Sequence, residues 1–393
     1  MLPNEKINAF ARRTTHLKPE GAYYVLARAL EMEQAGREII HFEIGQPDFP
    51  TFEHIAQAGI QAIQQGKTRY TPPAGMMELR EAIAADAGRR RGISFSPAEV
   101  VVSPGGKPNL FFPTLALIEE GDEVIYPDPG FPTYEAMIRV AGGIPVPVPL
   151  LEENDFSFDL EVFERRINPR TKLVILNSPS NPTGGVMSWE ALHHIAEHTQ
   201  RYGCWVLSDE IYSRLVYDGL TAPSIAALPG MKERTILVDG FSKTYSMTGW
   251  RLGYGIMPPP LAQRVELLLT HSIGATAHFT QYAGLEAICG PQDAVEEMVT
   301  EFRHRRDVMV NGLNSLPGFN CRKPQGAFYA FPNIRKTGMS SVELAELLLE
   351  KAGVALLPGS AFGLYGEGYL RLSYAISVEK IEEGIARIRE VLS

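Results

Sequence analysis

Short runs of apolar, often β-branched residues alternate with helical patterns along the first 240 residues, and this alternation constrains the fold most. The apolar runs lie at residues 100–102, 123–126, 173–176, 205–207 and 236–238. Helical patterns separate them at residues 107–118, 132–141 and 188–202. Near-continuous apolar strands separated by helices belong to a mostly parallel sheet that helices cover on both faces. The sequence therefore predicts an α/β fold.

Three prolines, Pro145, Pro147 and Pro149, stand at every second position of the segment 144–149. Proline has no backbone N–H to donate to a strand ladder. We therefore expect this segment to be an edge strand or an extended connection.

The pattern of the chain changes after residue 260. Long helices are predicted there, followed by a smaller region of strands and helices that includes a helix over residues 342–351. A helix and a short strand over residues 39–44 precede residue 48. We expect a large domain over residues 49–285. A smaller α/β domain should form from both chain ends, residues 1–48 and 286–393.

Composition narrows the class of protein. A hydrophobic fraction of 45% in 393 residues suffices for a large core, and the net charge of −9 argues against nucleic acid as the main partner. No stretch approaches the roughly 18 apolar residues of a membrane helix, and the charged start of the chain does not resemble a signal peptide. Cys204, Cys289 and Cys321 are far apart in apolar stretches, so we expect buried free thiols and a cytoplasmic protein.

Two common nucleotide sites are not predicted. Gly66-Lys67-Thr68 imitates the end of a P-loop, but Gln61 stands where the first glycine is required. No Gly-x-Gly-x-x-Gly follows the early strands, which argues against a nicotinamide dinucleotide site.

A lone lysine, Lys243, follows the apolar run 236–238 closely, in the segment Asp239-Gly240-Phe241-Ser242-Lys243. A lysine held just past a buried strand loses its proton readily and can attack a carbonyl to form a Schiff base. The alternative is an ordinary solvated loop lysine.

Polar residues also follow three other predicted strands, where ligands of open α/β sheets bind. Asp209 ends one strand, and its carboxylate could face a protonated ring nitrogen of a cofactor or simply pair with an arginine. Asn181 lies in a loop rich in proline and glycine, where it could donate to a ligand or belong to a plain turn. Gly105-Gly106-Lys107 opens a helix and could bind a phosphate there.

Together these junctions resemble the class I (class I/II) pyridoxal-phosphate-dependent aminotransferases of fold type I. The resemblance runs from Gly45-Gln46-Pro47-Asp48 to Arg371-Leu372-Ser373-Tyr374, with the motifs in the family's order and spacing. It implies a large domain with a mostly parallel sheet of the seven-stranded type between helices. It also implies pyridoxal 5′-phosphate as cofactor and no metal.

The resemblance assigns the catalytic roles to Lys243, Asp209 and Tyr212. Lys243 would bind the cofactor aldehyde and move the proton at the substrate α-carbon. Asp209 would pair with the ring nitrogen, and Tyr212 would contact the 3-oxygen together with Asn181. In a strand, Arg371 could be a surface ion pair, but the resemblance makes it the clamp on the substrate α-carboxylate, with Gly45 and Asn181 beside it.

The remaining implied contacts concern the phosphate and the ring face. Arg251, Ser242 and the amides of Gly106 and Lys107 would bind the phosphate, and Phe131 would stack on the ring. Tyr70 would reach the phosphate of a neighbouring subunit, which implies a homodimer with shared active sites.

The chain departs from the family pattern at informative positions. Gly240 stands where many relatives carry a phosphate-binding serine. Phe131 replaces the tryptophan of many aspartate-specific members and is more typical of members that act on alanine, diaminopimelate or aromatic substrates. Residues 271–281 hold no arginine that could bind a second carboxylate. Tyr23 and Tyr24, like Lys18 and Glu20, could cover the substrate side chain or, for the tyrosines, pack within a helix.

We therefore expect an aminotransferase that moves an amino group from an amino acid to a 2-oxo acid, 2-oxoglutarate in the first instance, by a ping-pong cycle. The nearest alternative is a carbon–sulfur β-lyase or another lyase on the same fold. A more remote alternative is a regulatory protein that binds the cofactor without turnover. The sequence leaves the donor amino acid open, because the specificity pocket is assembled from two subunits.

Overall fold

The computed structural model describes residues 10–15, 17, 19 and 21–393. Its helices are α1 (Arg12–Thr15), α2 (Gly21–Gln34), α3 (Glu53–Gln64), α4 (Met77–Arg91), α5 (Lys107–Leu117), α6 (Thr133–Val140), α7 (Leu160–Arg166), α8 (Trp189–Tyr202), α9 (Phe241–Thr244), α10 (Pro259–Thr270), α11 (His278–Cys289), α12 (Asp293–Asn314), α13 (Ser341–Leu347) and α14 (Val378–Leu392). Its strands are β1 (Ile40–His41), β2 (Val100–Ser103), β3 (Glu123–Asp128), β4 (Ile144–Leu151), β5 (Ser157–Phe158), β6 (Thr171–Asn177), β7 (Trp205–Asp209), β8 (Thr235–Gly240), β9 (Gly253–Ile256), β10 (Tyr329–Ala330), β11 (Val354–Ala355), β12 (Leu357–Pro358) and β13 (Leu370–Ser373).

The main sheet has the strand order β2-β9-β8-β7-β6-β3-β4-β5. The pairs from β8 through β7, β6 and β3 to β4 are parallel, whereas β9 is antiparallel to both β8 and β2. The two-residue β5 adds an antiparallel pair at the far edge. The prediction of a mostly parallel sheet of the seven-stranded type is confirmed, with β5 as a short extra strand.

Strand β6 shows why apolar runs predict a sheet that is covered on both faces. Val174 and Leu176 pack in a core that includes residues of α7 and α8. Leu173 and Ile175 point the other way, into a core shared with α5, α6 and α10. Successive side chains of a strand face opposite sides, so a strand between two helical layers must be apolar at every position.

The proline-rich strand β4 lies near the edge of the sheet, as predicted. It pairs with β3 along residues 144–149, but β5 pairs only with Leu150 and Leu151, beyond the prolines. No ladder partner is described on the outer side of β4 at Pro145, Pro147 and Pro149, so the missing N–H groups disrupt no sheet bonding.

The two ends of the chain meet in a separate small region. Strand β1 pairs in parallel with β11, and β13 pairs with both β10 and β12. A core that contains Ile40 and Phe42 from the N-terminal part joins residues of α12, α13 and α14. The exact boundaries at residues 48 and 285 stay a prediction.

Some local expectations differ from the structure. The strand expected over residues 39–44 is paired only at Ile40–His41, and the helix expected over residues 342–351 passes at Leu348 into a wider π-helical turn. Cys204 and Cys321 are buried free thiols, but Cys289 is exposed, because it ends α11 at the surface before Gly290. Among the described residues, no helix is both long enough and apolar enough to cross a membrane.

Candidate active site

A cleft of about 1280 Å³ opens at the carboxyl ends of the central strands. Most of the residues predicted for the site line it, namely Gly45, Gly106, Lys107, Phe131, Asn181, Asp209, Tyr212, Ser242, Lys243, Arg251 and Arg371. Tyr70 does not line the cleft of its own chain, and its side chain is fully exposed. Residues from distant parts of the sequence thus meet at one edge of the sheet.

Lys243 lies in the single helical turn α9, directly after β8. Its Nζ donates to the Gly45 carbonyl and lies 5.5 Å from the centre of the Phe328 ring. Burial lowers the pKa of Lys243 to about 8, and the guanidinium groups of Arg371 and Arg251 act in the same direction. An ammonium with this pKa releases its proton near neutral pH, which makes the amine a competent nucleophile and base.

Asp209, at the end of β7, is buried and has no cationic partner among the described residues. Its Oδ2 accepts a hydrogen bond of 2.7 Å from the Tyr134 hydroxyl, and the amide of Ile211 donates to its Oδ1. No ion pair to this carboxylate is found in the part of the chain that the structure describes. Burial raises the pKa of Asp209 to about 6, against the effect of the Tyr134 hydrogen bond. A cation placed beside Asp209 would relieve that cost.

Tyr212 and Asn181 both line the cleft, but their polar groups differ in hydrogen bonding. The hydroxyls of Tyr212 and Tyr329 are 2.7 Å apart, and burial raises the pKa of Tyr212 well above its ordinary value. Asn181 donates its backbone amide to Asn177 Oδ1, but its own side-chain oxygen is buried without a partner among the described residues. The side chain of Asn181 therefore has an unused acceptor oxygen, which a bound donor could satisfy.

Arg371 is anchored on one side and open on the other. Its Nη2 donates to the Glu43 carbonyl, and its guanidinium lies 4.6 Å from the centre of the Tyr329 ring. Its Nε is buried without a partner in the described chain, and burial lowers its pKa. A buried guanidinium with unused donors is suited to bind a carboxylate.

Arg251 lies against the glycine turn at the start of α5. Gly105 adopts a φ of +85°, and a Cβ there would come within 2.3 Å of Arg251 Nη2. Gly253 packs as closely on the Gly105–Gly106 backbone, where a Cβ would meet the Gly106 amide at 2.6 Å. The absence of side chains lets bare amides at a helix N-terminus and a guanidinium converge on one point, an arrangement that binds phosphate.

Sequence reasoning missed Tyr134 and Tyr329, the hydroxyl partners of Asp209 and Tyr212. Tyr134 is three residues after Phe131, across the turn that leads into α6, and their rings are in edge contact at 5.7 Å. That spacing was a usable signal. No local pattern marks Tyr329, because its role depends on β10, a strand of the three-stranded sheet, lying beside Tyr212. Tyr23 lines the cleft and is largely exposed, whereas Lys18 and Glu20 lie outside the described residues.

The residues fit pyridoxal phosphate, the cofactor that the resemblance implies. Among the described residues, the cleft offers a reactive amine, a buried acid without a cation, a side-chain amide with an unpartnered oxygen and a phosphate cradle. When bound, the cofactor ring acts as an electron sink for the bonds at a substrate α-carbon. The protein supplies orientation, charge and the proton carrier.

Comparison with known proteins agrees with this chemistry. The family model for class I and II aminotransferases matches residues 37–388. A probable aspartate/prephenate aminotransferase of Aquifex aeolicus is 44% identical over 97% of this chain and 98% of its own. An aspartate aminotransferase of Geobacillus stearothermophilus is 41% identical over 97% of this chain and 98% of its own.

Solved structures extend the likeness to three dimensions. The aspartate aminotransferase from Thermus thermophilus with maleate superposes with a TM-score of 0.93 at 39% identity, covering 98% of this chain and all of that one (100%). An aromatic aminotransferase from Pyrococcus horikoshii has a TM-score of 0.89 at 40% identity, over 93% of this chain and 98% of that one. The chain belongs to the class I and II aminotransferase family, with the type I fold and pyridoxal phosphate as cofactor, and it transfers an amino group between an amino acid and a 2-oxo acid.

Proposed function

We propose that the cleft binds pyridoxal phosphate with Lys243 at its aldehyde, Asp209 at its ring nitrogen, and Tyr212 with Asn181 at its 3-oxygen. Phe131 stacks on the ring. Arg251, Ser242 and the amides of Gly106 and Lys107 hold the phosphate. One observation carries this proposal: a lysine with a lowered pKa shares the cleft with a buried carboxylate that has no cation of its own.

Lys243 is the group that moves the proton. Its pKa of about 8 lets the amine take a proton from the substrate α-carbon and return it near neutral pH. Arg371 holds the α-carboxylate through its unused donors, while Gly45 and Asn181 border the same space. A fixed carboxylate orients the bond that breaks.

We propose that the preferred substrates are dicarboxylic, with aspartate as donor and 2-oxoglutarate as acceptor. Among the described residues that line the cleft, Lys107, Lys243, Arg251 and Arg371 are cationic and only Asp209 is a carboxylate. This excess of positive charge favours a substrate with two carboxylates. The relatives named as aspartate aminotransferases support the same choice.

A half-reaction screen tests the substrate proposal. Purified protein is mixed with aspartate, glutamate, alanine or phenylalanine, and the loss of the cofactor's imine absorbance is followed. Aspartate and glutamate should react fastest. Lys107→Gln should lower kcat/KM for aspartate more than for alanine, because the cleft loses one of its positive charges. A preference for phenylalanine that Lys107→Gln leaves unchanged would instead favour an aromatic donor.

We also propose a homodimer with shared active sites. Tyr70 is fully exposed, yet its neighbour Thr71 is fixed by a hydrogen bond from Gln281. A bare aromatic ring on an anchored loop is typical of an interface.

Free thiols at Cys204 and Cys321 support a cytoplasmic location.

Mixing two defective variants tests the shared site. Lys243→Ala should be inactive, and Tyr70→Ala should need more cofactor for activity. After co-refolding, hybrid dimers should regain cofactor affinity, because one of their two sites combines an intact Lys243 with an intact Tyr70. A monomer in sedimentation, or a mixture no better than Tyr70→Ala alone, would contradict the proposal.

A further inference from the structure

Two histidines and a glutamate meet on the outer helical layer, away from the cleft. His194 and His198 are one turn apart on α8, and Glu164 lies on α7. Of the described residues that line the cleft, none belongs to α7 or α8. The aminotransferase chemistry therefore does not account for this cluster.

Local sequence signals define where both helices begin and where α8 ends. Ser188 caps the start of α8 by accepting from the Ala191 amide, and Gly203, at a φ of +71°, ends it. Asp159 caps α7 in the same way. Residues four apart lie on the same helix face, so His194 and His198 present their rings side by side, with centroids 4.8 Å apart.

The possible ligand atoms are close enough to share one ion. One ligand atom from each of the three residues lies within 4.8 Å of the others. Glu164 Oε1 is 2.8 Å from His194 Nε2 and 3.6 Å from His198 Nε2. Tetrahedral zinc with bonds of about 2.1 Å holds its ligand atoms roughly 3.4 Å apart. The 3.6 Å distance already matches this spacing. The Glu164 side chain is exposed enough to move and lengthen the 2.8 Å distance.

The short contact is not a well-formed hydrogen bond. His194 Nε2 is buried, and neither Glu164 nor any other described residue satisfies it with an acceptable angle. The ring nitrogen is therefore directed beside the carboxylate oxygen rather than at it. An off-line lone pair is compatible with nitrogen and oxygen ligating a common ion between them.

We propose that Glu164, His194 and His198 bind one Zn²⁺ ion, with water as the fourth ligand. Imidazole and carboxylate are ligands that zinc accepts, and two neutral imidazoles with one carboxylate leave a net charge of −1 to attract it. The bound ion ties the short helix α7 to α8. Its effect is on stability, because the site is remote from the cleft.

Zinc titration of the holoenzyme tests the proposal. After dialysis against a chelator, Zn²⁺ is titrated by calorimetry, and bound metal is counted by mass spectrometry. The wild type should bind one ion per chain. The double variant His194→Gln/His198→Gln should bind it at least about 100-fold more weakly. His193→Gln is the matched control, because this exposed histidine on the same helix faces Trp189 instead.

Thermal unfolding supplies a second readout. Zinc at about 100 times its Kd should raise the Tm of the wild type and of His193→Gln by roughly 3 °C, and that of the double variant by much less. If the double variant misfolds, the visible absorption of Co²⁺ in the wild type should show tetrahedral coordination that Glu164→Gln alters. Absence of stoichiometric binding, or binding that neither set of variants weakens, would overturn the proposal and leave an ion pair only.

Discussion

Asp209 and Asp239 end neighbouring parallel strands, yet their surroundings differ completely. Asp209 pairs in register with Val238, so the next residue, Asp239, faces the opposite side of the sheet. There, Asp239 Oδ2 is within 3.3 Å of both Arg90 Nη2 and Arg91 Nη2. Asp209 faces the cleft and meets only neutral donors. A buried acid with its own cations is structural, whereas one without them is prepared for the charge of a ligand.

Asp239 belongs to a network of buried charges that includes Arg90 and Arg91. Arg91 also pairs with Glu210, whose carboxylate accepts from the Ser208 and Ser224 hydroxyls. The Tyr254 hydroxyl donates to Asp239 as well. Arg90 pairs with Asp86 as well, so the removal of Asp239 leaves each arginine with one partner but leaves an excess of buried positive charge.

The largest expected effect is therefore on stability, at Asp239. Asp239→Asn should lower the free energy of unfolding by about 3 kcal/mol, because Arg90 and Arg91 lose the counter-charge that they share and keep only Asp86 and Glu210, respectively. Denaturant unfolding monitored by circular dichroism measures the change. Unchanged stability would mean that the two arginines do not depend on this carboxylate.

The next effect is on catalysis, at Asp209. Asp209→Asn should reduce the rate of the half-reaction by about 10²- to 10³-fold, as is typical when one preorganised electrostatic partner is lost. Stopped-flow absorbance measures it. The stability of the cofactor-free protein should not fall, because no described cation pairs with Asp209 and would be left unpaired. A loss of stability as large as that of Asp239→Asn would contradict the distinction between the two acids.

The pH dependence of the stability of the cofactor-free protein tests the same property of Asp209, that it is buried without a cation. The pKa of Asp209 is raised from 3.8 to about 6 in the folded chain, so the folded state binds its proton more tightly than the unfolded state does. The proton on Asp209 stabilises the folded state in full below pH 4. As the pH rises through 6 this proton is lost, and the free energy of unfolding falls by up to about 3 kcal/mol. The stability of the wild type relative to Asp209→Asn should therefore fall between pH 4 and 7, and a difference that is flat with pH would contradict the assignment.

The smallest effect is expected at Tyr134, the neutral partner of Asp209. Tyr134→Phe removes one hydrogen bond to the carboxylate and should slow the half-reaction by about tenfold. Because the carboxylate becomes more basic, the pH at which the bound cofactor changes its absorbance should rise. Phe131→Leu, at the half-buried ring beside Tyr134, is a control that should alter ring stacking without that pH shift.

The sequence predicts the site better than it predicts the partners within it. Lys243, Asp209 and Asn181 could be found because parallel strands bring their carboxyl ends together, and the apolar runs mark those ends. Tyr329 could not, because no local pattern shows that β10 approaches Tyr212. Nor does the sequence separate Asp209 from Asp239, since both follow apolar strands. The register between β7 and β8 decides which of them faces the cleft.

The central claim is that the amine of Lys243 carries the cofactor. Borohydride reduction of the coloured holoprotein, followed by digestion and mass spectrometry, tests it directly. The pyridoxyl group should be found on the peptide that contains Lys243, and it should be absent from Lys243→Ala. A colourless protein, or a pyridoxyl group fixed to a different lysine, would contradict the account.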